Sequence, residues 1–497
     1  MIIFAVALLA VSVYLVSHLI KVYRYRRILA KIPSPDGHWL IGNAVWLLSN
    51  RPEQMFDLLR ECAKKYWPIY RFTSPYIVTV GILHPKDFEI VLSQMKHLTK
   101  SNLYDFLKNW LGEGLITSTN NKWQKRRKVL TPAFHFTILK HFLTVFNDET
   151  EILIKKIEST CTNTAVALES LVSPTTLQII SETAMGMRNI DDTTKTRYRR
   201  GIRKLAEIIF RRIWKPWLRL AFVFKLSEEG RDEKSVVQFL HNLTHKIIMD
   251  RETQLISGKI LTEHSYSGRK ILRMLDILLM SKICANNMDY EDIREEVDTF
   301  MFAGYDTTTS AICFLLLSLA NHKGIQNEVR KEIEEILGPN RVPTYNDLQQ
   351  LQYTERVIKE NLRLYPSVPF ISRIASEDFV TYTGYQIPKG TVLHLHIFDL
   401  HRDPRIYPDP LKFNPDRFLP ENVKQRHPFA YLPFSGGPRN CIGQRFAMLE
   451  IKAVICGIIR KFDLEEVDKD TDLKFIPHFM LKPRSNMRVK FVPRNSL

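Results

Sequence analysis

The chain of 497 residues has few cysteines: Cys62, Cys161, Cys284, Cys313, Cys441 and Cys456 are all of them. No two stand at a spacing that suits zinc or an iron–sulfur cluster, so a Cys-rich metal site is excluded. Internal repeats and low-complexity tracts are missing, which excludes a solenoid and a disordered linker protein. The sequence lacks a glycine fingerprint for a flavin or a dinucleotide, which excludes a chain carrying its own site of that kind. Finger, helix-turn-helix and RNA-binding signatures are also missing. The net charge of +18, from 71 basic and 53 acidic residues, is therefore not explained by nucleic acid.

What is present begins at the amino terminus. Residues 1–20 are almost entirely apolar and carry no formally charged side chain. Twenty helical residues span about 30 Å, enough for a bilayer core. Lys21, Arg24, Arg26, Arg27 and Lys31 follow at once, which by the positive-inside rule keeps the rest of the chain in the cytosol. A cleaved secretory peptide would place its basic residues before a shorter apolar core, and an Arg-rich presequence is absent. Pro33 and Pro35 mark a stiff hinge. The expected organisation is a membrane anchor over 1–20, a basic, proline-containing linker over 21–36 and one catalytic domain over 37–497. Between Lys195 and Lys225 stand eleven Lys and Arg against one acid, Glu207, interleaved with Phe210, Trp214, Trp217 and Phe222. Such a mixture suits an anionic membrane surface, and equally a solvated helix whose aromatics pack inward.

The most informative segment is Phe434-Ser-Gly-Gly-Pro-Arg-Asn-Cys441-Ile-Gly443. It sets one cysteine in a glycine-rich turn, with a helix-compatible run, 444–461, behind it. A helix start stabilises a thiolate through its free N–H groups and dipole. A thiolate so held suits haem iron, to which it pushes electron density. A small buried hydrophobe is the plainer role for a lone cysteine. A second long helix is predicted over 291–321, acidic at its start and interrupted by Gly304, whose cost of about 1 kcal/mol relative to alanine a flat ligand lying against the helix would offset. Within it Ala303-Gly304-Tyr305-Asp306-Thr307-Thr308 offers an acid and a hydroxyl side by side, or simply a Thr run bonding back to helix carbonyls. Glu360 and Arg363 share a helix face at i and i+3, and Trp123 and Arg127 do so at i and i+4.

These segments resemble the cytochromes P450, haem-thiolate monooxygenases. Phe434, Gly437, Arg439, Cys441 and Gly443 match every fixed position of that family's F-x-x-G-x-R-x-C-x-G signature. The resemblance implies a mainly α cytochrome P450 fold with small β-sheets, around 76–80 and near the C-terminus, behind one N-terminal transmembrane helix. It implies heme b (iron protoporphyrin IX) with Cys441 as the iron ligand and Phe434, Gly437, Arg439 and Gly443 around it. Trp123, Arg127, Arg373 and Arg439 become propionate partners, Asp306 a proton-relay acid and Thr307 the hydroxyl beside bound dioxygen. Glu360, Arg363 and Arg417 become a buried charge cluster that locks the cysteine loop. Lys122, Lys125, Arg126, Arg127 and Lys128 become the docking site of an acidic electron donor. The implied partners are NADPH-cytochrome P450 reductase and, as a second donor, cytochrome b5, on the cytosolic face of the endoplasmic reticulum membrane.

The segment 295–311 and Leu400-His-Arg-Asp-Pro404 resemble the family 4 branch, which includes fatty-acid ω-hydroxylases and many insect enzymes. Many of its members have Glu where this chain has Ala303, and that Glu is esterified to haem. Alanine cannot form the ester, so the haem is expected to be non-covalent. Tyr104, Phe106, Leu115, Phe302, Ala303, Thr307, Phe370 and Phe479 are the expected pocket residues, and a fatty acid or another long lipid is the first expected substrate, ahead of a terpenoid hormone or a foreign compound. Two rivals remain at this stage: a reductase-independent isomerase or dehydratase of lipid hydroperoxides, and a non-catalytic haem or lipid carrier. The former does not need the acid–Thr pair.

Overall fold

The computed structural model describes residues 23–494 except 39–40, 75–77, 189, 259–264, 267–268, 271, 286–287 and 339–340, together with positions 13, 16, 17 and 20. The expected anchor over 1–20 lies mostly outside the described residues. The four positions described there are helical, and Val13, Val16 and Ile20 are exposed.

Helices dominate. Those that position the site are α1 (Asn120–Leu130), α2 (Phe136–Thr160), α3 (Leu168–Met185), α4 (Asp192–Trp214), α5 (Glu228–Ile256), α6 (Tyr290–Asn321), α7 (Gln352–Leu364) and α8 (Gln444–Lys461). The helix α6 is the axis of the core. Asp289 and Asp292 form a capping box at its start, which satisfies two of the N–H groups that a helix end leaves unpaired. It is long and apolar enough to cross a membrane, but 83% of its apolar window is buried inside the protein. It is a core helix, and its all-round apolar surface is what burial on every side requires.

Gly304 has a different cause from the one its sequence position suggested. A Cβ there would collide with Ile180 of α3, which packs along α6. Close approach of two helices fixes the glycine, rather than a ligand alone.

Two small sheets flank the helices. In the first, β1 (Ile69–Thr73) pairs antiparallel with β2 (Val78–Ile82), β2 pairs parallel with β5 (Val392–Leu395), and β5 pairs antiparallel with β4 (Ile371–Ile374). In the second, β7 (Arg488–Pro493) lies between β6 (Phe462–Glu466) and β3 (Ala165–Ala167). The strand expected around 76–80 is β2. The proline segment is docked on the first sheet: Leu29 and Ile32 are buried with Ile69, Val80 and Leu393, and the Arg71 amide donates to the Pro33 carbonyl at 2.8 Å.

Candidate active site

The helix α8 runs over the residues expected and starts at Gly443 without a side-chain cap. Before it, the loop folds back on itself: the Cys441 amide donates to the Phe434 carbonyl at 2.9 Å. Gly437 has φ +68°, and a Cβ there would collide with the Leu92 carbonyl, so only glycine fits. Cys441 opens into the central cavity and is exposed to it. Deep placement pushes its thiol above the usual range, while a Gly443 N–H and the Arg127 guanidinium work in the opposite direction.

The cavity is about 370 Å³ and runs between the cysteine loop and α6. Tyr104, Leu115, Phe302, Ala303, Thr307, Phe370 and Phe479 line it, as expected. Phe106 does not; it stacks under the Arg212 guanidinium, 5.0 Å away. Sequence reasoning missed Lys100, Phe210, Ile213 and Met480, which reach the cavity from other elements. Thr307 faces the cavity, and its hydroxyl donates to the Ala303 carbonyl at 2.7 Å, the plain back-bonding geometry. Asp306 is on another flank of α6, where adjacent residues diverge by about 100°. It lines a separate small polar pocket with Glu169, Arg203, His478 and Lys482. Burial pushes its carboxyl up to about 6. The expected acid–hydroxyl pair therefore does not share one cavity.

Three cations cluster beside the cavity: half-buried Lys100 and buried Arg439 line it, and Arg373 is buried next to them without lining it. Arg439 donates to the carbonyls of Leu98, Leu115 and Ser118 at 2.6, 3.1 and 2.8 Å, and its guanidinium lies 5.0 Å from the Trp123 ring. Arg373, on β4, is buried and donates to the Ser372 carbonyl. Lys100 lies over Tyr104, 4.4 Å from the ring centroid. Among the described residues no carboxylate lies within ion-pair distance of any of the three. Burial lowers Lys100 well below the usual lysine value, with Arg373 and Arg439 adding to it, and brings Arg439 down to about 9. Arg127 lines the cavity, but its guanidinium holds the cysteine loop through the Asn440 carbonyl (2.8 Å) and side-chain oxygen (2.9 Å).

Glu360 and Arg363 on α7 are fully buried and doubly bonded at 2.7 and 2.9 Å, and Arg417 reaches Glu360 at 3.4 Å. Arg363 also donates to the His401 carbonyl at 2.7 Å, and the His401 Nε2 accepts from the Leu432 amide at 2.8 Å. The charge cluster is thus wired to the loop that presents Cys441.

A cysteine loop facing a long core helix across an apolar cavity, with a locked ion cluster behind it, is the architecture of a haem-thiolate enzyme. The cytochrome P450 profile matches residues 32–491. The chain is 38% identical to cytochrome P450 4c3 of Drosophila melanogaster, over 98% of this chain and 94% of that protein. It is 39% identical to human cytochrome P450 4V2, over 92% and 88%, and 39% identical to cytochrome P450 4c21 of Blattella germanica, over 95% of both. The chain belongs to the cytochrome P450 family and is a cytochrome P450 monooxygenase whose relatives here are members of family 4.

The residues present fit the haem that the family implies. Lys100, Arg373 and Arg439, with no carboxylate paired to them among the described residues, suit a dianion such as two propionates. The open sulfur of Cys441 lies across the same cavity.

Proposed function

We propose that this cytochrome P450 hydroxylates long lipophilic molecules, first a fatty acid or another long lipid, with terpenoid hormones and foreign compounds as the next classes. The observation that carries this is the cavity wall: Leu103, Phe210, Ile213, Phe302, Phe479 and Met480 extend an apolar surface away from the cysteine loop. Iron protoporphyrin bound there supplies the dioxygen chemistry that turns R–H, dioxygen, two electrons and two protons into R–OH and water.

In this reading the side chains divide the work. Cys441 holds the iron through sulfur, with Phe434, Gly437 and Gly443 shaping its loop. Trp123, Arg127, Arg373 and Arg439, joined by Lys100, hold and neutralise the carboxylates. Thr307 presents its Oγ1 to the cavity as the hydroxyl of the proton relay, and Asp306 exchanges a proton on the flank of α6. Glu360, Arg363 and Arg417 keep the loop in place. Ala303 lines the cavity and offers no carboxyl for an ester, so the haem is heme b held without a covalent bond.

The domain scheme of anchor 1–20, linker 21–36 and catalytic domain 37–497 belongs to the same reading, with the body on the cytosolic face of the endoplasmic reticulum membrane. Exposed Trp217, Leu220, Phe222 and Leu226 beside Arg211, Lys215 and Lys225 support a second membrane contact, whereas Phe210 turns into the cavity. Electrons come from NADPH-cytochrome P450 reductase, with cytochrome b5 as a second donor.

One experiment tests the core of this. The purified wild type should give the carbon-monoxide spectrum of sulfur-ligated haem, release its porphyrin into acid, and show spectral shifts with long-chain lipids. Cys441→Ser should lose that spectrum. A wild type without porphyrin, or a serine variant with the spectrum intact, refutes the reading.

A further inference from the structure

The segment 112–118, between the short helix Lys108–Leu111 and α1, contributes Leu115 and Ile116 to the cavity wall. It has no strand partner and is strung between two sets of charged side chains. On one side, the Glu113 amide donates to Glu295 Oε1 at 2.8 Å and the Leu115 amide to Glu296 Oε2 at 3.1 Å. On the other, Arg439 takes the carbonyls of Leu115, Ile116 and Ser118. Gly114 touches α6 so closely that a Cβ would collide with Thr299, itself a cavity residue.

Glu295 and Glu296 are buried on the first turns of α6. Arg126 of α1, also buried, binds both, at 3.2 and 3.3 Å, as well as Asp292. Lys122 joins Glu113 and Glu295 at 3.2 Å each. These carboxylates are therefore paired on one oxygen and hold backbone N–H groups of the segment on the other. An ordinary surface ion pair does only the first.

We infer that Glu296, with Glu295 in support, is a positioning residue that sets where Leu115 and Ile116 stand against the substrate. The inference rests on the functional reading only in taking the cavity as the substrate site. A wall residue displaced by about 1 Å changes which substrate carbon is presented, at a cost reaching about 100-fold in rate.

The test compares Glu296→Ala with Glu296→Gln in the haem-loaded full chain. Glutamine still accepts from the Leu115 amide, so its hydroxylation product ratio and lipid affinity should stay within about twofold of wild type. Alanine should shift the product ratio at least about threefold, weaken spectral binding of a long-chain fatty acid about tenfold, and speed hydrogen exchange at the Glu113 and Leu115 amides, with the carbon-monoxide spectrum unchanged. A folded Glu296→Ala protein with wild-type product ratio and exchange overturns the inference. If Glu296→Ala fails to fold, Glu295→Ala decides by the same measurements. If the wild type binds no lipid, the functional reading has failed, and the amide exchange still decides the positioning role.

Discussion

Lys100 is a lysine whose charge is made costly by desolvation first and by two neighbouring arginines second. Its ammonium sits beside Arg373 and Arg439, and among the described residues no carboxylate offsets it. A bound dianion reverses that cost, so the residue has opposite effects in the two states of the protein. Lys100→Met should stabilise the haem-free chain by about 1–3 kcal/mol at pH 7, since an uncompensated buried charge is removed. The same variant should release haem about tenfold faster, since a charge-assisted contact is lost. The folded-state value is lowered, so the wild-type haem-free protein gains stability as pH rises toward the ordinary lysine value. The advantage of Lys100→Met should therefore shrink as pH rises toward about 10, the reference lysine value. Urea titrations at several pH values check this; a constant advantage counts against it. The residue was not legible in the sequence, where one lysine before Ser101 reads as an ordinary surface cation. Cys441 was legible because a single short loop carries every fixed position of its signature, although Arg127, which also acts on the thiol, comes from α1.

At the scale of elements, α8 and α6 meet through a polar contact. The Thr308 hydroxyl lies 3.1 Å from Glu450 Oε1 and 2.9 Å from the Gly304 carbonyl, with a single proton to share between them. Glu450 is fully buried, and burial pushes its carboxyl well above the ordinary value. The folded state keeps that proton after the unfolded chain has lost it, so stability falls as pH rises above the unfolded value of about 4.3. Glu450→Gln keeps the acceptor and removes the titration. Its unfolding free energy relative to wild type should rise with pH, by an amount on the order of 1–3 kcal/mol at neutral pH. Denaturant midpoints at pH 4.5 and 8 measure it; equal differences at the two pH values would falsify the assignment. The extents of α6 and α8 were readable, because helix caps and apolar periodicity are local. Their contact was not: residues 142 apart in the chain leave no local pattern. Gly304 shows the same limit, since its reason lies on α3.

At the scale of the molecule, the basic run on α1 divides. Arg126 turns inward to α6 and Arg127 to the cysteine loop, while Lys125 and Lys128 stay exposed, with Arg445 exposed at the start of α8. A run of five cations reads as one surface stripe in a sequence, but a helix sends them in different directions. If a donor docks on this face as proposed, the charge that meets it is narrower than the run. Lys125→Glu with Lys128→Glu should raise the reductase KM about five- to tenfold at low salt, with the difference fading as ionic strength increases. Stopped-flow reduction across a salt series checks it, and a salt-independent effect speaks against docking there. The cavity wall was half legible. Phe302, Ala303 and Thr307 belong to one recognisable helix, whereas Phe210 and Ile213 arrive from α4, and only the tertiary packing says so.

The three unneutralised cations also bear on how long the chain survives in a cell. Molecules made faster than porphyrin and iron are delivered carry the strain of that cluster, and strained molecules open more often and meet proteases sooner. The steady-state abundance of this enzyme should therefore track haem supply, and equal half-lives in haem-replete and haem-depleted cells would speak against it.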